Sequence, residues 1–323
     1  MRTLYNVIVM DTAQKASRLY NVLRRYPHLR TFIHGLHLPR RVMVATPPAV
    51  WNIICRLISL IPNLQDLSTS MQSLVQPKFA QLRGPAVVLP LEAQRYRDLQ
   101  RLTLYGNYRL DAVDLSLIIA SFLNLRSLTL CYITLGSFVR GEACAPNLAR
   151  LEEVFIYRCI NLHKMDNWLH RLPNLSTLAI TSDNEIARWT PRVFSRQRIT
   201  RLEIFDGPGP SFDMGPSRWF AACPLLRSLR ISANIVRKNC KNIPLKLDEL
   251  WIDVVPSCFP NGQGIAEYPW VEYLMRRPAV AQVIVAVFPN DPWYIRDGRR
   301  FLALSSAHGV SVLIKEMLDT NGE

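Results

Sequence analysis

The chain has 323 residues, 49% of them hydrophobic, and a net charge of +14, so it can bury a large core and does not have the composition of a disordered protein. Its seven cysteines, at 55, 131, 144, 159, 223, 240 and 258, are odd in number and include no CxxC pair; they argue against a disulfide framework and for reduced thiols in a cytoplasmic or nuclear protein. No apolar run approaches the roughly 20 residues of a membrane-spanning helix, and MRTLYNVIVMDTAQK, broken early by Asp11, is not a signal peptide.

In chain order, the pattern predicts a strand over Leu4–Val9 and then a helix over Asp11–Tyr26, with Asp11 as its cap. A second helix is expected over Pro48–Ile61. The stretch Ser68–Pro90 is too long for a simple connection. LQRLTLYGNYRL (Leu99–Leu110) alternates as a strand, and Asp111–Leu123 follows as a helix. LRSLTLCYI (Leu125–Ile133) and LEEVFIYRCINL (Leu151–Leu162) repeat the strand pattern. His163–Leu172 reads as helical, and LSTLAITSDNEI (Leu175–Ile186) returns to the strand pattern. Asp206–Pro216 is a turn-rich loop. RRFLALSSAHGVSVLIKE (Arg299–Glu316) reads as a final helix and strand, either a cap or one more degenerate repeat.

Three of these segments fit L-x-x-L-x-L-x-x-(N/C/D)-x-x-L, with Asn107, Cys159 and Asp183 at the ninth position. This is the leucine-rich-repeat pattern. Weaker copies extend it, giving first anchors at 4, 29, 64, 99, 125, 151, 175, 199, 226, 247 and 280, most of them 24–27 residues apart. The lead-ins YPHL, IPNL, APNL, LPNL, CPLL and RPAV support the register, because proline stops the preceding helix. The expectation is an α/β leucine-rich-repeat solenoid of strand–loop–helix units. It forms one domain over 1–323, with about eleven irregular repeats, a parallel sheet on the concave face and a cap over about 290–323.

With Cys159 at the ninth position and lead-ins such as Arg25-Tyr-Pro-His-Leu-Arg30 and Arg171-Leu-Pro-Asn-Leu-Ser176, the chain resembles the cysteine-containing repeat regions of fungal F-box-like proteins over nearly its full length. That resemblance implies a substrate receptor of a ubiquitin ligase, whose F-box docks the ligase adaptor while the repeats hold the substrate. The F-box itself is not evident. Leu89-Pro90-Leu91-Glu92 matches its opening motif, but the chain runs on directly into the repeat at Leu99, without room for three helices. Met1 opens almost directly onto a repeat strand. Either an upstream segment precedes it, or that strand is itself the cap.

Strand alternation turns positions 3, 5 and 7 of each unit outward. These include Arg101, Thr103, Tyr105; Ser127, Thr129, Cys131; Glu153, Phe155, Tyr157; Thr177, Ala179, Thr181; Arg201, Glu203, Phe205; Ser228, Arg230, Ser232; and Glu249, Trp251, Asp253. Aromatic residues and arginine dominate protein interfaces. The expected protein-binding face therefore comprises Arg101, Tyr105, Glu153, Phe155, Tyr157, Arg201, Phe205, Arg230 and Trp251, unless loops cover the rings as a second core. Its charges are mixed, so the basic excess lies elsewhere, with runs at Arg188–Arg201 and Arg237–Lys246. A ligase adaptor is expected as a partner only if an F-box lies upstream. A free-standing scaffold or inhibitor is the alternative, and a nucleic-acid-associated protein is a third reading without a recognised motif.

Signals for catalysis are poor, and the expectation is a non-enzyme without a cofactor. Gly207-Pro-Gly-Pro and Gly262-Gln-Gly264 lack the context of a phosphate loop and read as turns. Cys159, His163 and His170 are close in sequence but lack a second cysteine at finger spacing, so Cys159 reads as a buried structural thiol and no metal is expected. His28, His34 and His37 are expected to decorate the surface of the first repeat.

Overall fold

Thr12 begins the first helix, α1 (Ala13–Arg25). Its Oγ1 accepts the Lys15 N–H at 3.2 Å, satisfying one of the free donors at a helix start. Asp11 is thus not the cap; it pairs with the Lys15 ammonium at 2.7 Å instead. The helix ends before Pro27, which opens a 3-10 turn over Pro27–Phe32. The second helix, α2, spans Pro48–Ser59, and α3 (Asp166–Leu169) is a single turn within the longer helix expected there. This computed structural model describes residues 6–38, 48–70, 98–106, 109–110, 122–135, 150–161, 165–182, 198–206, 219–220, 222–233, 235–236, 242–244, 246–254, 280–287, 302–303, 306 and 311–316. The helix expected over Asp111–Leu123 lies almost wholly outside them, as do Ser68–Pro90 and Asp206–Pro216 for most of their length.

The chain divides into two compact units, Met1–Asn174 and Leu175–Gly322. In the first, β1 (Val7–Val9), β2 (Gly35–His37), β3 (Asp66–Ser70), β4 (Arg101–Tyr105), β6 (Ser127–Cys131) and β8 (Glu153–Tyr157) pair in that order, all parallel. A short parallel pair, β5 (Arg109–Leu110) with β7 (Thr134–Leu135), lies beyond the main strands. In the second unit β9 (Thr177–Ser182), β10 (Arg201–Asp206), β11 (Ser228–Ser232), β12 (Leu247–Val254), β13 (Val280–Val287) and β14 (Val312–Glu316) also pair successively and in parallel. The final strand expected near the C-terminus is therefore present. The protein is α/β, and its described strands are all parallel. Parallel neighbours require a crossover; α1 supplies it between β1 and β2, and α2 between β2 and β3.

One hydrogen-bond pattern recurs where the chain enters successive strands. Two consecutive N–H groups donate to one carbonyl of the preceding strand's lead-in. Gln100 and Arg101 donate to Gln65, Arg126 and Ser127 to Gln100, and Glu152 and Glu153 to Arg126. In the second unit, Thr200 and Arg201 donate to Ser176, Arg227 and Ser228 to Thr200, and Asp248 and Glu249 to Arg227. Each donor pair directly follows an anchor leucine or isoleucine read from the sequence, so the anchors from Leu99 to Leu247 are in register. The anchor at Val280 pairs with Leu247, as expected.

The anchor at Leu29 needs correction. His34 and Gly35 donate to the Asn6 carbonyl, which makes Ile33 the anchor rather than Leu29. Ile33, Leu36 and Leu38 are all buried, whereas Leu29 is half-buried in the 3-10 turn. The proline of YPHL begins that turn and mimics a strand lead-in. The first anchor read from the sequence, Leu4, lies outside the described residues.

The register stacks like on like. Leu102, Leu128 and Val154 align, as do Leu104, Leu130 and Ile156. In the second unit Leu178, Leu202, Leu229, Leu250 and Val283 form one row, and Ile180, Ile204, Ile231, Ile252 and Val285 the next. All of these are buried. Each such aliphatic side chain contributes roughly 1.5–3 kcal/mol relative to exposure, so each strand carries two core contributions on its inward side. Cys159 is buried too, and its Sγ–H donates to the Leu130 carbonyl at 3.4 Å.

Candidate protein-binding face

The other side of the strands carries the residues that alternation predicts. In the first unit Arg101 is exposed, and Tyr105, Glu153, Phe155 and Tyr157 are half-buried. Phe155 and Tyr157 stack at 6.3 Å with 25° between their planes. They are two residues apart on one strand, so they share a face. Tyr105 stands in the same cross-strand row as Cys131 and Tyr157, with Cys131 between them.

Arg101 does not act alone. Its Nε donates to Asp66 Oδ2 at 2.8 Å, directly across the β3–β4 register. On the other side His37 Nε2 lies 3.2 Å from Asp66 Oδ1. The contact is a charge pair whenever the imidazole is protonated. Burial alone would raise the Asp66 carboxyl, but His37 and Arg101 outweigh it and hold the carboxyl below its ordinary value. Sequence reasoning did not single out Asp66 and placed His37 only among the surface residues of the first repeat. His37 is an outward position only once Ile33 replaces Leu29 as the anchor; the signal was Ile33-x-x-Leu36-x-Leu38. His34 is also less free than expected, with Nδ1 at 3.2 Å from the Asn63 carbonyl, while His28 is exposed.

The second unit gathers Phe205, Arg230 and Trp251 into one cluster. The Arg230 guanidinium lies 5.0 Å from the Phe205 ring centroid and 5.3 Å from that of Trp251. Rings on either side of a guanidinium attract it through their π faces. Three hydrogen bonds of 2.9–3.2 Å tie it also to both oxygens of Asp253. Asp253 is buried, which pushes its carboxyl up; Arg230 opposes the shift and the nearby Glu203 charge adds to it, leaving the carboxyl above its ordinary value. Exposed Arg201 reaches buried Glu203, with Nη2 at 2.6 Å from Oε1. Ser228 Oγ–H donates to Glu249 at 3.1 Å.

The face is not uniformly open. Thr177, Ala179 and Thr181, the three outward residues of β9, are buried, as are Ser127 and Cys131 of β6. The five rings keep partial exposure, and none is buried as a second core. The basic runs at Arg188–Arg196 and Arg237–Lys241 lie outside the described residues, as does His163. Among the described residues no group of three His, Cys, Asp or Glu side chains is placed to hold a metal ion, and no helix is long and apolar enough to cross a membrane. The chain matches no known family model and no curated protein.

Proposed function

We propose that the protein is a leucine-rich-repeat solenoid whose concave sheet face binds another protein, without chemistry of its own. The observation that carries this reading is the cluster Phe205–Arg230–Trp251. Two half-exposed rings are held rigid by a guanidinium that is itself fixed to a buried carboxylate. Rings and arginines that are already ordered lose little conformational freedom on binding, which is what an interface hot spot requires. The stacked Phe155 and Tyr157 form a second anchor of the same kind. The in-phase aliphatic rows, the twin N–H donation and the Cys159 position support the repeat assignment.

The resemblance to F-box-like repeat proteins extends the proposal: the bound protein is a substrate delivered to a ubiquitin ligase. Affinity purification of wild type beside Tyr157→Ala and Trp251→Ala tests the binding reading. A partner retained by wild type and lost from either variant, with far-ultraviolet circular dichroism unchanged, is expected. Both variants keeping both fold and partner would contradict it. The ligase extension is tested in the same eluates by the presence of the ligase adaptor, and it fails without the binding reading failing if the partner is captured and ubiquitin machinery is absent.

A further inference from the structure

The positive charge is concentrated at one end of the sequence. Residues 1–65 contain nine Lys and Arg and a single acid, so that one fifth of the chain carries +8 of the net +14. The single acid, Asp11, is already paired with Lys15 at 2.7 Å. Arg18, Arg24 and Arg25 of α1 and Arg56 of α2 are exposed. Among the described residues no carboxylate stands within ion-pair distance of any of the four.

Flat rings are interleaved with these arginines. Arg24 lies over the Tyr20 ring at 5.8 Å and Arg25 over the Tyr26 ring at 5.5 Å. Tyr26 meets the exposed His28 edge-on at 6.2 Å and is itself 43% exposed. The apolar side of α1, with Ala16 and Leu23, is buried. A helix that lies on a membrane must turn its apolar side outward, so α1 does not suit a lipid surface. An acidic peptide would use the arginines but brings no aromatic bases to stack on the rings. A single-stranded nucleic acid uses both, through phosphates for the guanidinium groups and bases for the ring faces.

We propose that this helical surface of the first unit, carried by α1, α2 and the 3-10 turn, binds single-stranded nucleic acid. Arg18, Arg24, Arg25 and Arg56 contact phosphates, and Tyr20, Tyr26 and His28 offer stacking surfaces. The site uses none of the residues of the aromatic sheet face and stands whether or not that face binds protein.

The test is fluorescence anisotropy of the full chain with a labelled uridine 20-mer RNA between 50 and 300 mM KCl, with polyglutamate of similar length as competitor. Binding at 50 mM is expected to weaken with salt, with a logarithmic slope of about −0.7 for each phosphate contacted. Arg24→Gln with Arg25→Gln should weaken binding about tenfold or more and make the slope shallower. Tyr26→Ala should weaken it about fivefold or more and leave the slope unchanged, as loss of stacking does. These side chains are exposed, and an unchanged thermal midpoint would show that the variants fold. No binding at 50 mM KCl would overturn the proposal. So would affinity indifferent to the arginine pair, or polyglutamate competing as well as RNA while Tyr26→Ala has no effect; the last result would assign the surface to acidic protein segments.

Discussion

Asp66 in the first unit and Asp253 in the second both lie on the outward side of the strands, and both hold an arginine from a neighbouring strand. Their carboxyls move in opposite directions. Asp66 meets both the His37 imidazole and the Arg101 guanidinium, and its arginine is 65% exposed. Asp253 is 6% exposed at its side chain, has one arginine and lies near a second carboxylate, Glu203. Partners outweigh burial at the first site, and burial with like charge outweighs the partner at the second. The Asp66 group is thus a surface ion pair. The Asp253 group is a built-in scaffold that holds Arg230 between two rings.

The largest effect should come from removing the arginine of the buried pair. Arg230→Met leaves Asp253 buried without its partner and should cost about 3 kcal/mol in urea unfolding. Adding Asp253→Leu should restore most of that loss, because a buried pair can be replaced by apolar groups. A single-variant cost no greater than that of Arg101→Ala would erase the distinction between the two sites.

The acid limb of stability sharpens the same contrast. The lowered Asp66 carboxyl contributes stability that is present above its unfolded value of 3.8 and is lost as pH falls through the folded value. The raised Asp253 carboxyl does the reverse: its contribution is present below 3.8 and is lost as pH rises through the folded value. The stability advantage of wild type over Asp66→Asn should therefore grow with rising pH across that region, and its advantage over Asp253→Asn should shrink. Parallel slopes in the two comparisons would contradict the assignment.

Arg101→Ala should cost less than about 1 kcal/mol, and less still at high salt, as exposed pairs do. The thiols give the smallest effect, a difference in rate only. Burial pushes Cys223 up to about 12, and Cys223 is 3% exposed, whereas Cys55 is raised but only half-buried. Iodoacetamide at pH 8, followed by peptide mass spectrometry, should modify Cys55 before Cys223.

Much of this was legible because parallel strands in register leave a strong trace. The anchors from Leu99 to Val280 sit where the recurring donor pairs and strand pairing place them. Alternation alone turned Arg101, Phe155, Tyr157, Arg201, Arg230 and Trp251 outward. The register failed at Leu29, where Pro27 opens a 3-10 turn instead of a strand, and that slip kept His37 from the outward positions of the strands. Thr12 and Asp11 are both good caps, and only the position of the Lys15 N–H separates them. The Arg230–Asp253 pair joins residues 23 apart in sequence. Its geometry depends on how β11 lies beside β12, which side-chain alternation within a strand does not encode.

The central claim, that the ring-bearing sheet face meets a protein, is tested most directly by site-specific photo-crosslinking in cells. A benzophenone side chain would replace Tyr157, Trp251 or, as a control on the helical side, Arg56. A discrete protein adduct of the same mass is expected from positions 157 and 251 and none of that mass from position 56. No discrete adduct from the two sheet positions, or the same adduct from all three, would contradict it.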